Sequence, residues 1–365
     1  MKWAVQKLEE IVSIKTGKLD SNAAVPNGQY PFFTCDPQTL AINTYAYDTE
    51  AVLLAGNNAS GNYTAKYYHG KFNAYQRTYI IESIDKGKLD IHYFLYALNE
   101  QLALLKSISS GSTTKFLTMS MLKPLSVPCP TISVQHRIAS ILSAYDDLIE
   151  NNRRQIKLLE EAAQRLYREW FVELRFPGHE GVKVMDGVPE GWKIETVGSL
   201  LRKIPRTKQI LTSDYQVSGN IPIVDQSRDF IAGYTNDTDA CVKPQDAIIV
   251  FGDHTRILKY ITFPFAKGAD GTQLIVSNSD CMPQSLFYFS IIHIDLTNYH
   301  YARHFKYLKE STILVPTKSI ANAYDNIVHP IMKRIQVLRD SCVKAKEARD
   351  RLLPILMNRE MEVSE

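Results

Sequence analysis

The chain has 365 residues, of which 45% are hydrophobic and 22% are charged, and its formal net charge is +3 at pH 7. This length suffices for two or three domains with ordinary cores, and the composition excludes a disordered chain. The mildly basic charge permits nucleic-acid binding through local patches without arguing for it. The sequence contains no run of about 18 apolar residues, so we expect no membrane span. The five cysteines are scattered without a CxxC pair, which favours a reduced, cytoplasmic protein without disulfides or structural zinc.

The sequence repeats itself weakly, with a period of roughly 190 residues. In chain order the paired segments are 3–8 with 192–197, 28–33 with 219–224, 51–56 with 247–252, 78–81 with 273–276, and 125–128 with 313–316. The third pair reads AVLLAG and AIIVFG, and each half predicts a short buried strand that ends at a glycine turn. In the first half, Phe94, Leu98, Leu102 and Leu105 recur at helical spacing and predict a helix.

Each half is followed by a segment with one apolar seam that advances by steps of three and four residues. The first seam consists of Tyr145, Ile149, Asn152, Ile156, Leu159, Ala163, Leu166 and Trp170. The second consists of Tyr324, Val328, Ile331, Ile335, Leu338, Cys342, Ala345, Leu352 and Leu356, and Arg349 interrupts it between Ala345 and Leu352. Heptad spacing faces one side of a helix and requires a partner helix, so we expect the two helices to bury their seams against each other. The internal duplication favours antiparallel pairing, and Asn152 is placed to fix the register.

The predicted fold class is therefore α+β, with two mixed globular domains in a pseudo-twofold repeat and two long helices that form an antiparallel coiled coil. The predicted boundaries are 1–130 for the first domain, 131–176 for the first helix, 177–191 for a linker, 192–316 for the second domain and 317–365 for the second helix.

Motifs of nucleotide-dependent or hydrolytic catalysis are absent from the sequence: there is no P-loop, no HExxH, no GxSxG and no glycine-rich dinucleotide turn. The nearest catalytic candidate is the turn Asp253-His254-Thr255-Arg256, where an Asp-His pair could supply half of an acid–base system. The matching turn of the first half, residues 56–61, has neither residue. We therefore expect a protein that positions other molecules.

Several blocks resemble the specificity subunits of type I restriction-modification systems. Residues 130–142 (PTISVQHRIASIL) and 146–152 are similar to the start of the family's first conserved helix, and further similar blocks lie at 159–171, 189–192 and 348–357. The start of the second helix departs from the family, since residues 321–324 (ANAY) replace a glutamine-containing entry. The resemblance covers nearly the whole chain.

The resemblance implies a non-catalytic subunit whose two globular halves are target recognition domains, each reading one part of a bipartite, gapped sequence in double-stranded DNA. It also implies that the paired helices set the gap and dock two methyltransferase subunits, and that restriction and translocase subunits complete the complex. S-adenosylmethionine, ATP and Mg would then belong to the partners, with no cofactor or metal on this chain. Two alternatives stay open: a stand-alone nucleic-acid-modifying enzyme that uses the turn at Asp253, and a coiled-coil adaptor that binds no DNA.

Loop side chains with paired donors and acceptors are the candidates for DNA contacts. In the first domain they are Asn57, Asn58, Ser60, Asn62, Tyr63, Lys66, Gln76, Arg77, Thr113, Thr114 and Lys115. In the second domain they are Arg228, Asp253, His254, Thr255, Arg256, Lys259, Gln273, Tyr299, Tyr301, Arg303, His304 and Lys306. Loops rich in asparagine and glycine usually only make turns, and the aromatic residues after Tyr299 are equally consistent with a core element.

Four apolar residues widen the first seam beyond what one partner helix needs: Leu148, Leu158, Tyr167 and Phe171. We expect them to bury against a methyltransferase subunit. For Phe171, packing against the chain's own recognition domain is an equally good alternative.

Overall fold

A computed structural model of the chain describes residues 3–111, 114–205, 207–297 and 303–358. The chain divides into two compact units, one formed by Met1–Glu150 with Cys342–Glu365 and the other by Asn151–Ser341. Each unit holds one globular domain and one segment of each long helix. The boundary between the units therefore falls within both long helices, after Glu150 in the first and after Ser341 in the second.

The first unit begins with a globular domain of mixed strands and helices, followed by the long helix α4. The strands are β1 (Val5–Lys7), β2 (Val12–Thr16), β3 (Tyr30–Phe33), β4 (Leu40–Ile42), β5 (Tyr47–Ala55), β6 (Asn57–Asn58), β7 (Ala65–Ala74), β8 (Thr78–Ser83), β9 (Lys115–Phe116) and β10 (Ser126–Pro128). The helices are α1 (Leu8–Ile11), α2 (Ile91–Ile108), α3 (Met119–Leu122) and α4 (Ile132–Tyr167), whose last residues belong to the second unit.

A six-stranded sheet in the order β2-β8-β5-β7-β3-β4 forms the centre of the first domain. Its neighbouring strands are antiparallel except for β3 and β7, which are parallel. Helix α2 packs on this sheet; its N-terminus is capped by Asp90, whose carboxylate accepts a hydrogen bond from the Tyr93 N–H at 2.6 Å. The core between them includes Leu54, Ile81 and Phe94, together with Ile138 of α4 and Leu356 of the second long helix.

The second unit contains the remaining strands and helices. The strands are β11 (Val184–Met185), β12 (Val188–Pro189), β13 (Lys193–Thr196), β14 (Gln209–Ile210), β15 (Ile221–Val224), β16 (Gly233–Thr235), β17 (Cys241–Val242), β18 (Ile248–Gly252), β19 (Leu258–Ile261), β20 (Phe265–Gly268), β21 (Thr272–Ile275) and β22 (Thr312–Val315). The helices are α5 (Gln284–Ile292), α6 (His304–Glu310) and α7 (Lys318–Met357), whose last residues belong to the first unit.

The two domains repeat the same strand pairings. The opening strand pairs antiparallel with the exit strand in each, β1 with β10 and β13 with β22. The buried central strand, β5 or β18, pairs antiparallel with two later strands in each domain. This confirms the predicted duplication and the α+β fold class. The segment predicted as an irregular linker contains a short hairpin of β11 and β12.

The two long helices pair through their predicted seams within each unit. In the first unit, the Cys342 thiol donates to the Ile149 main-chain oxygen at 3.7 Å, and Arg349 forms an ion pair with Asp146. In the second unit, the Asn152 side chain donates to the Ser341 hydroxyl at 3.0 Å. Within each unit, residues with higher numbers on α4 contact residues with lower numbers on α7, so the two helices run antiparallel, as predicted.

The long helices also belong to the domain cores. In the second unit, α4 continues into a π-helical turn, Arg168–Val172, whose Phe171 ring packs 5.6 Å from Trp192 and 5.1 Å from Tyr324. Tyr167 stacks on Phe289 and His293. The expectation that Tyr167 and Phe171 bury against a partner subunit is therefore wrong, because the second domain of the same chain already covers them. Leu148 and Leu158 stay 43% and 58% exposed.

Candidate nucleic-acid interface

The two polar loops predicted in the first domain lie together. Strands β6 and β9 pair antiparallel, with Asn57 opposite Phe116 and Asn58 opposite Lys115. The Lys106 ammonium donates to the Asn62 side-chain oxygen at 2.7 Å, so a lysine of α2 joins the same surface. Thr114 is exposed beside it, whereas Thr113 lies outside the described residues. These segments, more than 40 residues apart in the chain, form one polar surface.

Part of this surface serves to make its own turn. The Asn58 side-chain oxygen accepts from the Ser60 N–H at 2.9 Å, from the Ser60 hydroxyl at 2.8 Å and from the Asn62 N–H at 3.2 Å. An asparagine used in this way defines the loop and has no acceptor left over for a base. Tyr63 is 5% exposed and packs in the domain core, which places it out of reach of DNA.

Gln76 and Arg77 are exposed in the turn between β7 and β8, beside the same surface. The Gly56 N–H and the Cys35 thiol both donate to the Arg77 main-chain oxygen, at 2.8 Å and 3.5 Å. A Cβ at Gly56 would lie 2.3 Å from that oxygen, so the close approach requires glycine. The main chain of Arg77 is thereby fixed next to Gly56, which directly precedes β6.

Lys66, also predicted to contact DNA, points into the domain instead. Its ammonium donates to the Asp36 main-chain oxygen at 3.3 Å and to the Thr39 hydroxyl at 3.1 Å. Burial lowers its pKa, partly offset by the charge of Asp36. The lysine therefore holds residues 36–39, a loop in which the sequence analysis identified no candidate.

In the second domain, the turn at Asp253 is built around a helix cap. Asp253 is 5% exposed, and its carboxylate accepts from the Phe305 N–H at 2.7 Å at the start of α6. Its main-chain oxygen accepts from the His304 N–H at 3.1 Å. A buried carboxylate that caps a helix is a structural group, so Asp253 does not serve as the predicted base reader, and the geometry gives no support to an acid–base pair with His254. His304 is buried in the same contact.

The rest of this turn is exposed and held by Gln226. The His254 N–H donates to the Gln226 side-chain oxygen at 3.1 Å, and the Thr255 hydroxyl donates to its main-chain oxygen at 2.7 Å. Arg256 adopts a positive φ of 61° and donates to the Leu296 main-chain oxygen at 3.3 Å. His254 and Arg256 therefore remain candidates for DNA contact, while Gln226 organises the turn and was missed by the sequence analysis.

Lys259 is only 4% exposed and cannot reach a phosphate. Its ammonium donates to the main-chain oxygens of Asp225, at 2.8 Å, and Asp229. Burial lowers the pKa of Lys259, and the negative charges of Asp225 and Asp229 partly offset this by raising it. Like Lys66, Lys259 donates its ammonium hydrogen bonds to a loop of its own domain. That loop carries Arg228, which is exposed as a DNA contact requires.

Gln273 lines a cleft of about 530 Å³ with Thr207, Gln209 and Lys267. Burial lowers the pKa of Lys267. Amide groups beside a lysine can bind a base edge and a phosphate together. Of the aromatic and basic stretch, Arg303 and Lys306 are exposed, and Tyr299 and Tyr301 lie outside the described residues.

Comparison with known proteins shows what the chain is similar to. Residues 1–161 match the model of the type I restriction modification DNA specificity domain. Curated proteins that the chain resembles are type I specificity subunits. The EcoDI specificity subunit of Escherichia coli is 37% identical over 163 residues, 45% of this chain and 35% of that one. The MjaIX specificity subunit of Methanocaldococcus jannaschii is 26% identical over 298 residues, 75% of this chain and 69% of that one. The resemblance drawn from the sequence is confirmed.

The crystal structure of a type I restriction-modification S subunit from M. genitalium has the same fold. It matches with a TM-score of 0.67 at 16% identity, over 99% of this chain and 97% of that one. The match to the E. coli relative spans about a third of that protein's length. Among the described residues, no helix is long and apolar enough to cross a membrane, and no group of three or more His, Cys, Asp or Glu side chains could hold a metal ion.

The helix pair of this chain carries charged groups next to its seam. In the first unit, the Tyr96 hydroxyl donates to Asp146 at 2.6 Å, and Asp146 pairs with Arg349, which explains why an arginine interrupts the second seam. In the second unit, Arg339 pairs with Glu160 at 2.7 Å and lies 4.2 Å from the centre of the Phe230 ring. Each group joins a domain to both helices, so each fixes how its domain is held.

Proposed function

We propose that this chain is the DNA sequence-specificity subunit of a cytoplasmic type I restriction-modification complex. Each globular domain reads one half of a bipartite, gapped target in double-stranded DNA. The paired helices set the gap and dock two methyltransferase subunits. S-adenosylmethionine, ATP and Mg belong to the methyltransferase, restriction and translocase subunits, and this chain is non-catalytic.

The internal duplication is the observation that carries the proposal. Both domains repeat the strand pairings β1–β10 and β13–β22, and both place exposed polar side chains on loops next to the buried central strand. A protein with two similar readers of different loop sequence is suited to a target with two different halves. The specificity-domain match over residues 1–161 supports DNA as the ligand.

The seam supports the role of the helices as a spacer. Asn152 is 4% exposed and donates to Ser341. A buried polar pair in a coiled coil favours one register, because any shift leaves the amide without a partner. A fixed register would give the DNA gap a fixed length. Leu148 and Leu158, which stay exposed on α4, are the two of the four predicted apolar positions that remain for a methyltransferase subunit.

Methylation of a random duplex library tests the proposal. The full chain is purified with and without its methyltransferase subunits, and the methylated duplexes are sequenced. We expect a split motif with an unread gap, and methylation only when the partner is present. Methylation by the chain alone would favour the stand-alone enzyme, and methylation without sequence preference would favour the adaptor; either result contradicts the proposal.

A further inference from the structure

Two loops occupy equivalent places in the two domains. Loop 34–39 (TCDPQT) follows strand β3, and loop 225–230 (DQSRDF) follows strand β15. The strands before them belong to the internal repeat, 28–33 with 219–224. Each strand also pairs parallel with a strand of its own domain, β3 with β7 and β15 with β20. The loop sequences themselves have nothing in common.

A lysine of the same domain donates hydrogen bonds to each loop. Lys66 on β7 donates to the Asp36 main-chain oxygen and the Thr39 hydroxyl, and Lys259 on β19 donates to the main-chain oxygens of Asp225 and Asp229. Both lysines come from the strand that forms a hairpin with the central strand, where Lys66 lies opposite Leu53 and Lys259 opposite Val250. An ammonium group offers three donors, so one side chain can fix two points of a loop.

Each loop also satisfies part of its own backbone. In the first, the Asp36 N–H donates to the Thr34 hydroxyl at 3.2 Å, and the Gln38 N–H donates to the Asp36 carboxylate at 2.7 Å. In the second, the Ser227 N–H donates to the Asp225 carboxylate at 2.9 Å. Such turns preset the loop shape before any ligand binds.

The side chains at the loop tips are left for an external ligand. Gln38 and Arg228 are exposed, and neither side chain has a hydrogen bond or ion pair with another described residue. Each loop lies beside a DNA-contact candidate. Cys35 bonds to the main chain of Arg77, and Gln226 bonds to His254 and Thr255. The amide of glutamine matches the adenine edge, and the guanidinium of arginine matches the guanine edge.

We propose that loops 34–39 and 225–230 are equivalent base-reading loops of the two domains, with Gln38 and Arg228 contacting base edges in the groove. Lys66 and Lys259 are positioning residues that set the loop shape. Lys259 binds two main-chain oxygens and Lys66 binds one, together with the Thr39 hydroxyl, so most side chains of the loops can differ without loss of the loop shape. This inference rests on the proposed function, since it takes double-stranded DNA as the ligand.

Two alanine substitutions test the readers. The full chain, assembled with its methyltransferase subunits, is assayed on the random duplex library. Gln38→Ala should reduce discrimination at one position of one half of the motif by about 5- to 150-fold, the worth of one bidentate base contact. Arg228→Ala should do the same in the other half. The matched controls are Gln29→Ala, at the other end of β3, and Arg175→Ala, whose side chain pairs with Glu169 and Glu173. Both controls should keep the motif.

Lys259→Met tests the positioning role, with Lys243→Met as a control for an exposed lysine of the same domain. The loosened loop should be cut faster by trypsin after Arg228, and the half of the motif assigned to Arg228 should degrade while the other half and methyltransferase assembly persist. A lower melting temperature with an unchanged motif would mean that Lys259 is only structural and would overturn its role.

The failures are distinguishable. A split motif for the wild type that survives unchanged in both Gln38→Ala and Arg228→Ala would overturn the reading loops and leave the proposed function standing. A wild-type complex without a split motif would overturn the proposed function and, with it, the assignment of these loops.

Discussion

Loops 34–39 and 225–230 are both bound by a lysine of their own domain, but they differ in the number and burial of the contacts that support them. In the second domain, Lys259 is buried, and loop 225–230 is also tied by Tyr215, whose hydroxyl donates to Asp225 at 3.2 Å, and by Phe230 under Arg339. In the first domain, Lys66 is only half-buried and binds one main-chain oxygen and one hydroxyl. The loop of the second domain therefore has more side-chain contacts, with a more deeply buried lysine, than the loop of the first domain.

This difference shows where function can vary. Three of the four lysine contacts are to main-chain oxygens, whereas the exposed residues of the two loops are unrelated in sequence. A loop supported in this way can change its exposed side chains without losing most of its support. Three residues predicted to contact DNA, Lys66, Asp253 and Lys259, instead make hydrogen bonds within their own domain. A polar loop needs polar side chains to satisfy its main-chain groups, and the sequence alone does not distinguish these side chains from those that contact a ligand.

The largest contrast is expected from replacing the two lysines. Lys259→Met leaves two main-chain oxygens of loop 225–230 without their buried lysine donor and should lower the free energy of unfolding by about 2–4 kcal/mol. Lys66→Met should cost about 1 kcal/mol, because water can reach its partners. Urea denaturation followed by tryptophan fluorescence measures both, and equal losses would show that the two loops are held alike.

A smaller difference in the free energy of unfolding is expected between replacing Asp253, which caps α6, and replacing Asn58, which forms an exposed turn. Asp253→Ala removes the acceptor for the first turn of α6 and should cost about 1–2 kcal/mol. Asn58→Ala removes the acceptor of an exposed turn and should cost less than about 1 kcal/mol. The same denaturation assay applies. An Asp253→Ala protein of wild-type stability would contradict the capping role and reopen the functional reading of this turn.

Some features of the fold could be predicted from the sequence, whereas the roles of individual polar residues could not. The repeat, the two seams and the buried strands were predictable because hydrophobic periodicity is local. The roles of Lys259 and Asp253 were not, since their partners lie 34 and 52 residues away in the chain. Helix α5 was missed because most of its positions, from Gln284 to Ile291, are buried, and it therefore lacks the period of an amphipathic helix.

The smallest expected effect concerns pH. Burial, followed by the charge of Asp225, raises the pKa of Tyr215 to about 12 from an ordinary value of 10.0. The unfolded chain therefore loses this proton first, so the contribution of Tyr215 to stability is present below about pH 10 and is lost as the pH rises toward 12. Tyr215→Phe should show a shallower loss of stability over that window in thermal melts. Identical pH slopes would indicate that Tyr215 does not hold Asp225.

Exchange of one domain tests the central claim most directly. Residues 192–315 are replaced by the corresponding segment of another specificity subunit, and the methylated motif is read again by sequencing. Two independent readers predict that one half of the motif changes while the other half and the gap length stay the same. A change in both halves would contradict the account, because it would mean that the two domains do not read DNA separately.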